Sequence, residues 1–153
     1  TINNNSVVNN QTLQNDTVSG FNSSDRPTVS VIKLDKGGVE ENAAGLANAD
    51  ANTNIYIYFS EAMDNTSITA TSGTSCTGTV RLSLDGFNNC LPMSLDSVSN
   101  TNKIFTFDPA NNLVGGNTYK IIVTTGVKDG SGIPMAVINE TVSGNNGFTV
   151  PPK

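Results

Sequence analysis

Two cysteines are the sharpest chemical feature of this 153-residue chain. Cys76 and Cys90 flank the β-branched stretch TVRLSL (residues 79–84) and the turn signal Asp85-Gly86. A strand that leaves this turn brings Cys90 back beside the start of the first strand, where an antiparallel pair holds Cα atoms about 4.5–5.5 Å apart. We therefore predict a disulfide between Cys76 and Cys90. Two unpaired buried thiols and a metal site are the alternatives, and zinc lacks ligands because the chain has no His and no further Cys.

The absence of histidine limits the chemistry that the remaining side chains offer. It removes the commonest general base and the commonest metal ligand, so Ser-His-Asp, Cys-His and His–zinc sites are excluded. A carboxylate pair survives this exclusion, and Glu61 with Asp64 in the run SEAMD is the candidate. The alternative is that both carboxylates cap and solvate a turn after a core strand, with Met63 as a buried plug over the end of the fold.

An oxygen-rich turn at residues 129–132, DGSG, is the candidate calcium site, with Asp129 as its ligand. Asp35, Asp50 and Asp64 are the carboxylates that would complete it. Calcium takes six to eight converging oxygens, and the sequence has no Asp-x-Asp-x-Asp array. An Asp that begins a tight turn is the competing interpretation. No other cofactor is predicted.

The elements that position these residues are predicted to be strands. Asn, Ser, Thr and Gly are abundant, and no stretch carries Leu, Ala, Glu and Lys at helical spacing. The clearest strand is NIYIYF, residues 54–59, whose alternation places the isoleucines and Phe59 on one face and Tyr56 and Tyr58 on the other. The tyrosines are either an aromatic platform for a glycan or peptide, or cross-strand packing partners.

Short strands recur along the chain, separated by turn signals such as Asp108-Pro109 and Asp129-Gly130. Residues 39–53 are small and polar and are predicted to form a long loop. Many short strands without intervening helices predict an all-β sandwich or barrel. The predicted strands are residues 28–34, 54–59, 67–70, 79–84, 91–95, 103–107, 118–124 and 147–150.

Composition also indicates where the folded domain begins and which kinds of partner are not expected. Residues 1–25 are rich in Asn, Ser and Thr with isolated hydrophobics, and they are predicted to be a linker or tail. The net charge of −5 and only eight Lys and Arg argue against nucleic-acid binding. No apolar run approaches the roughly 20 residues that span a bilayer, so no membrane insertion of this segment is expected.

Two blocks of the sequence resemble a known family. The run IYIYFSEAMD, residues 55–64, resembles the strand and Phe-Ser-Glu-x-Met-Asp signature of bacterial Ig-like domains of the surface-layer-protein type. Residues 105–135 are similar to the second half of that family, with a Leu-x-x-Gly-x-x-Tyr turn and a Val-x-Asp-x-x-Gly block. Together the blocks extend the resemblance over residues 26–150.

The resemblance implies an immunoglobulin-like β-sandwich of about seven main strands over residues 26–150. The Cys-bracketed hairpin within residues 71–93 is an insertion relative to the family pattern, and residues 151–153, with their Pro-Pro pair, resemble the start of an interdomain connector. The family pattern also accounts for Glu61 and Asp64 as part of the fold. We therefore predict no catalytic residue in this chain.

The function implied is that of a non-catalytic module of a bacterial cell-surface or secreted protein. Such a module is extracellular or on the outer surface, with the periplasm as an alternative, and serves as spacer or adhesion module in a tandem array. Its expected partners are sibling domains and a host extracellular-matrix or envelope protein, contacted through the Cys hairpin, the loop at 39–53 or a free edge strand. An accessory domain of a secreted enzyme is the alternative. A third reading, an enzyme in its own right, needs a cleft with perturbed carboxylates.

Overall fold

Antiparallel strands form the whole framework of this protein. The structure is a computed structural model that describes residues 26–99, 101–136, 138–140 and 147–152. Across those ranges no helix is long and apolar enough to cross a membrane. A 3₁₀ turn spans Asn65–Ser67. The strands are β1 (Val29–Lys36), β2 (Val39–Asn42), β3 (Ile55–Phe59), β4 (Val80–Ser83), β5 (Met93–Ser99), β6 (Ile104–Pro109), β7 (Thr118–Val123), β8 (Asn139–Glu140) and β9 (Phe148–Thr149).

The strands form two sheets. The first sheet has the order β2-β1-β3-β6-β5, and in the second β7 pairs with β4, β8 and β9. In the first sheet Ile57 lies opposite Ile32 on one side and Phe105 on the other. In the second sheet Leu82 lies opposite Ile121. These five side chains belong to one buried cluster, so the two sheets pack face to face as a sandwich.

The core follows the alternation of the strands. Every second residue of β3 is fully buried, and Tyr119, Ile121 and Val123 of β7 are buried in the same way. Phe105 meets Phe59 edge-to-face with ring centres 5.6 Å apart, a favourable geometry for aromatic rings. Burying each such side chain contributes about 1.5–3 kcal/mol relative to leaving it exposed. The face predicted to be apolar in residues 54–59 is therefore the core face, as expected.

An irregularity marks the outer strand of the first sheet. The register between β5 and β6 shifts between Leu95 and Ser97, which leaves Asp96 as an extra residue in β5. Leu95 and Val98 are partly buried against the core, whereas Asp96 is exposed. An extra residue of this kind bends a strand and interrupts its pairing.

The all-β sandwich predicted from the sequence is confirmed, with differences in detail. Residues 39–42, predicted as loop, form β2 and pair with β1. Residues 67–70, predicted as a strand, begin with the last residue of the 3₁₀ turn and form no named strand. Ala70 makes an isolated bridge to Val80, whose N–H donates to the Thr69 carbonyl at 2.9 Å. β8 was not predicted. The expected linker, residues 1–25, lies outside the described residues, and the domain boundaries stay a prediction.

Candidate functional site

The outer face of the first sheet holds Tyr56 and Tyr58 in hydrogen bonds to carboxylates. The Tyr56 hydroxyl donates to Asp35 at 3.0 Å, and the Tyr58 hydroxyl donates to Glu40 at 2.6 Å. The Lys33 ammonium lies 5.3 Å from the centre of the Tyr58 ring, within cation–π range. Both hydroxyls thus tie β3 to β1 and β2. These contacts match the cross-strand interpretation of the tyrosines.

The same contacts change how the two tyrosines titrate. Burial, reinforced by the hydrogen bond to Asp35, raises the pKa of Tyr56 to about 12. The hydrogen bond to Glu40, followed by burial, raises the pKa of Tyr58 to about 12. Both groups therefore stay protonated donors at neutral pH, and neither has the lowered pKa that a nucleophile or base near pH 7 needs.

The predicted disulfide between Cys76 and Cys90 is present. The two Cα atoms are 5.1 Å apart across a sequence separation of 14. The chain reverses after β4 as expected, and the Leu91 N–H donates to the Leu82 carbonyl at 2.8 Å. Cys90 itself pairs with Thr74, at 2.8 Å from N to O, rather than with the first residues of β4. The bridge therefore spans the point where the chain crosses from the second sheet to the first.

A hydrogen-bond network inside this crossing shapes residues 84–90. The Ser83 hydroxyl is buried and accepts from the N–H groups of Asp85 (3.1 Å) and Phe87 (3.0 Å). The Asp85 carboxylate accepts from the Asn89 N–H at 3.0 Å. Hydrogen bonds from the backbone and side chain of Asn89, and then from Ser83, lower the pKa of Asp85. The loop is thus a defined structure, because its side chains satisfy backbone donors that no sheet pairs.

The candidate carboxylate of Asp64 is tied into the 3₁₀ turn that follows β3. Asp64 caps the 3₁₀ turn, and its Oδ1 accepts from the Thr66 N–H at 3.0 Å and the Thr66 hydroxyl at 2.7 Å. These bonds lower the pKa of Asp64, whereas a general acid needs a raised pKa. Met63 beside it is fully buried and bridges to Asp129. The arrangement supports the turn-capping interpretation.

Asp129 lies in the turn where the sequence predicts calcium. Its Oδ1 accepts from the N–H groups of Ser131 (2.8 Å) and Ile133 (2.9 Å), and the residue is only 3% exposed. Asp35 and Asp50 lie elsewhere, where they bind Asn54 and Gly37 through backbone N–H groups. The residues that the structure describes contain no group of three His, Cys, Asp or Glu able to hold a metal. Calcium at Asp129 stays a prediction, which melting temperatures in calcium and in a chelator would test.

An apolar pocket of about 220 Å³ opens at the end of the sandwich where β6 ends and β7 begins. Its lining residues come from the disulfide-bridged segment, from the residues directly after Cys90, from the end of β6 and from the loop before β7. Tyr119 also lines the pocket, and its hydroxyl accepts from the Val114 N–H at 2.8 Å and so holds that loop in place. The pocket thus offers apolar walls and two side-chain amides. Its lining residues are Leu84, Leu91, Pro92, Pro109, Asn111, Asn112, Leu113, Val114 and Tyr119.

Comparison with family models decides the class of this fold. Residues 40–149, well over half of the chain, match the model described as bacterial Ig-like domain. The chain belongs to the bacterial Ig-like domain family. The resemblance drawn from FSEAMD and VKDGSG is therefore confirmed.

Solved structures show the same fold as this Ig-like domain. The N-terminal part of the bacterial S-layer protein SbsC matches with a TM-score of 0.50 and 20% identity, over 84% of this chain and 24% of that chain. The S-layer protein rSbsC(31-844) and the structure of SbsC domains 1-6 match with the same score and identity, each over 14% of its own chain. The Ig-like domain thus spans a quarter or less of the S-layer structures that it resembles. No protein of curated function matches its sequence.

The Ig-like domain is entered and left at opposite ends. The start of β1 lies beside the end of β3, where Val29 is opposite Phe59. The starts of β3 and β7 share the other end, because the Leu113 N–H donates to Ala51 at 2.7 Å. Val150 leaves at that end, where its carbonyl accepts from the Gly116 N–H at 2.7 Å.

The sequence did not predict the apolar pocket or the Ser83 network of this Ig-like domain. The pocket draws its walls from segments near residues 84, 91, 109–114 and 119, which no local motif connects. Ser83 is the last residue of β4, and nothing in the local sequence indicates that its side chain is buried. A signal for Asp85 did exist, since an Asp-Gly pair after a strand predicts a turn with a bonded carboxylate.

Proposed function

We propose that this Ig-like domain is a non-catalytic structural spacer module of a bacterial cell-surface or secreted protein. The observation that carries the proposal is the in-line path of the chain, which enters beside Phe59 and leaves beside Gly116 at the opposite end of the sandwich. The likeness to the S-layer protein SbsC supports the same role.

In-line entry and exit suit a module that adds length. A strand rises about 3.4 Å per residue, so the six residues of β7 alone span about 20 Å along the sandwich. If the chain entered and left a domain on the same side, a tandem array of such domains would fold back on itself. When the chain enters and leaves at opposite ends, each domain adds its long dimension to the length of the array.

The candidate chemical groups support a non-catalytic role. Asp64 and Asp129 both accept hydrogen bonds from backbone N–H groups of their own turns. The pocket is lined by apolar side chains and by Asn111 and Asn112, without an acid pair. Those contacts tie both carboxylates into the backbone of their own turns.

The disulfide supports an extracellular or cell-surface location. Disulfides form and persist in oxidising compartments and are rare in the reducing cytosol. The bridge between Cys76 and Cys90 closes a segment at the sandwich end, where the Leu84 side chain is half exposed.

The test compares the maximum dimension of the full-length protein in solution with that of a variant that lacks residues 26–152. We expect deletion to shorten the maximum dimension measured by small-angle X-ray scattering by about the long axis of one sandwich, while neighbouring domains keep their melting temperatures. An unchanged maximum dimension would contradict the spacer role. Lost turnover in a neighbouring catalytic domain would favour the accessory-domain alternative.

Adhesion is a second candidate role, favoured by the disulfide-braced loop at residues 84–90. A loop already held by Ser83 and Asp85 loses little conformational freedom on binding. The purified chain would be tested against extracellular-matrix, plasma and glycan ligands at low and physiological salt. Saturable, salt-tolerant binding that disappears when residues 84–89 are replaced by Gly and Ser supports adhesion. Silence across the panel, with cooperative melting, leaves the spacer role alone.

A further inference from the structure

The exit segment, residues 147–152, begins with β9, and this strand is bonded on both of its edges. One edge pairs with β7, and the other meets residues 45–49, which belong to no named strand. Residue numbers rise together along β9 and residues 45–49, so the two segments run in the same direction. The backbone hydrogen bonds between them run from the Gly45 N–H to the Gly147 carbonyl (3.0 Å), from the Thr149 N–H to the Leu46 carbonyl (2.9 Å) and from the Ala49 N–H to the Thr149 carbonyl (2.9 Å).

The side chains of the exit segment are anchored as well. Phe148 is fully buried and stacks on the Tyr119 ring with ring centres 5.6 Å apart. Val150 is buried beside it, and its carbonyl accepts from the Gly116 N–H at 2.7 Å while its N–H donates to Asn117 at 3.4 Å. The exit segment therefore cannot slide along its own axis without breaking bonds on both edges and withdrawing two apolar side chains from the core.

A pull applied to residues 26 and 152 acts along β9. The chain enters the domain beside Phe59 and leaves it beside Gly116 at the opposite end, and β9 is antiparallel to β7, which begins at the exit end. Such a pull draws β9 out along its own axis, so the hydrogen bonds on both edges carry the load together, in shear. A pull across the strand would break them one after another. Shear loading raises the barrier to forced unfolding, and that barrier sets the rate at which a pulled domain unfolds.

The entry strand is held more firmly than the exit strand. β1 has eight residues and pairs with β2 on one side and with β3 on the other. Its side chains Ile32 and Leu34 belong to the buried core. β9 has only two residues, so it detaches before β1 when both ends are loaded.

We propose that β9 and residues 45–49 form a mechanical clamp, which sets the force at which the domain unfolds when its two ends are pulled apart. The proposal rests on the spacer function and adds resistance to tension to it. It also gives residues 45–49 a role, because they supply the second edge without which β9 would be held by β7 alone.

The experiment compares Thr149→Pro with Ala110→Pro in the 153-residue chain, held by handles at residues 26 and 152. Proline has no N–H, so the first variant loses the bond to Leu46 and the second loses the bond from Ala110 to the Pro92 carbonyl (2.9 Å), which lies outside the clamp. We expect Thr149→Pro to raise the unfolding rate at constant force by about fivefold or more, as the loss of one backbone hydrogen bond implies. Ala110→Pro should leave that rate unchanged.

A second pair of variants serves if Thr149→Pro does not fold. Phe148→Leu keeps every backbone bond and shrinks a side chain that the pull withdraws from the core, and Phe107→Leu is its control because Phe107 is equally buried in β6. We expect Phe148→Leu to speed forced unfolding more than Phe107→Leu, although urea unfolding shows similar losses for both. With handles at residue 26 and at an introduced Asn112→Cys, the load bypasses β9, and the difference between the two variants should disappear.

Equal unfolding rates within each pair under a pull on residues 26 and 152 would overturn the clamp. A difference between Phe148→Leu and Phe107→Leu that persists when the load bypasses β9 would overturn it as well. Either result leaves the spacer role standing, because the length that the domain adds does not depend on which strand detaches first.

Discussion

A few polar side chains satisfy the backbone donors that the loops of this fold leave unpaired. Ser83 and Asp85 do so for the disulfide-bridged loop, Asp64 for the 3₁₀ turn and Asp129 for the turn after β7. Ser83 and Asp129 are buried, where an unsatisfied N–H costs about 1–3 kcal/mol. The loop conformations therefore depend on single side chains.

Ser83→Ala is expected to lower the free energy of unfolding by about 1–2 kcal/mol, because the N–H groups of Asp85 and Phe87 lose their acceptor. Urea unfolding of the purified chain measures this change. Ser94→Ala is the control, since Ser94 is exposed on β5. Equal stability of the two variants would contradict the role given to Ser83.

The tyrosine–carboxylate pairs predict a loss of stability at alkaline pH. A folded-state pKa raised from 10.0 to about 12 contributes stability that is complete below pH 10 and is lost as the pH rises toward 12. Glu40→Gln removes the negative charge of the carboxylate that accepts from the Tyr58 hydroxyl. We therefore expect the pKa of Tyr58 to move back toward 10 and the loss of folding stability at alkaline pH to become smaller. Phenolate absorbance measures the titration. Ordinary titration of both tyrosines in the unaltered protein would refute the assignment.

The clearest elements were predictable because one local pattern decides them. Residues 55–59 alternate between core and surface, so the period of two identifies both the strand and its buried face. β2 shows no such alternation, because all four of its residues are exposed. Its pairing with β1 depends on the turn at Gly37-Gly38. β8 has two residues, which is too short for any periodicity.

The candidate site was predictable only in part. The disulfide was predictable because two cysteines flank a strand and a turn. The backbone hydrogen bond from Cys90 to Thr74 was not predictable, because the chain after Cys90 continues into β5, which belongs to the other sheet. Residues 67–70 are β-branched in part but end against β4 through a single bridge. The pocket is lined by the segments near residues 84, 91, 109–114 and 119, which meet only in the folded state.

The close approach at Gly115 gives an element-scale prediction. A Cβ there would overlap the Pro151 carbonyl, so Gly115→Ala is expected to cost about 1–3 kcal/mol through overpacking. Gly73→Ala is the matched control, because a Cβ at Gly73 meets no atom within 4 Å. Urea unfolding compares the two variants. A Gly115→Ala variant as stable as Gly73→Ala would show that the exit segment is not packed as described.

The described residues share one buried core and one disulfide. Its entry and exit lie at opposite ends of the sandwich, and the disulfide closes a loop between them. A closed loop of about 15 residues is worth about 3 kcal/mol in the chain-entropy model. We expect reduction to lower the free energy of unfolding by about that amount. The double variant Cys76→Ser/Cys90→Ser should match the reduced protein, and a melting temperature unchanged by reduction would contradict the expectation.

Stretching the molecule by its ends gives a further prediction. The disulfide keeps the 14-residue separation from Cys76 to Cys90 out of the extended chain. At about 3.4 Å per residue those 14 residues extend to about 48 Å, and the bridge already spans 5.1 Å between the two Cα atoms. Reduction should therefore release about 40–45 Å of additional contour length on unfolding. Single-molecule force spectroscopy of the oxidised and reduced protein measures the difference. Equal contour lengths would mean that the bridge is not formed in the folded molecule.

The edges of the first sheet have a consequence for solubility. β2 is only four residues long and carries Glu40 and Glu41, and β5 is interrupted by the exposed extra residue Asp96. Short, charged and bulged edges hinder the backbone pairing by which sheets of separate molecules fuse into aggregates. Copies of this domain at high concentration are therefore expected to remain separately folded rather than fuse into fibres through the edges of the first sheet.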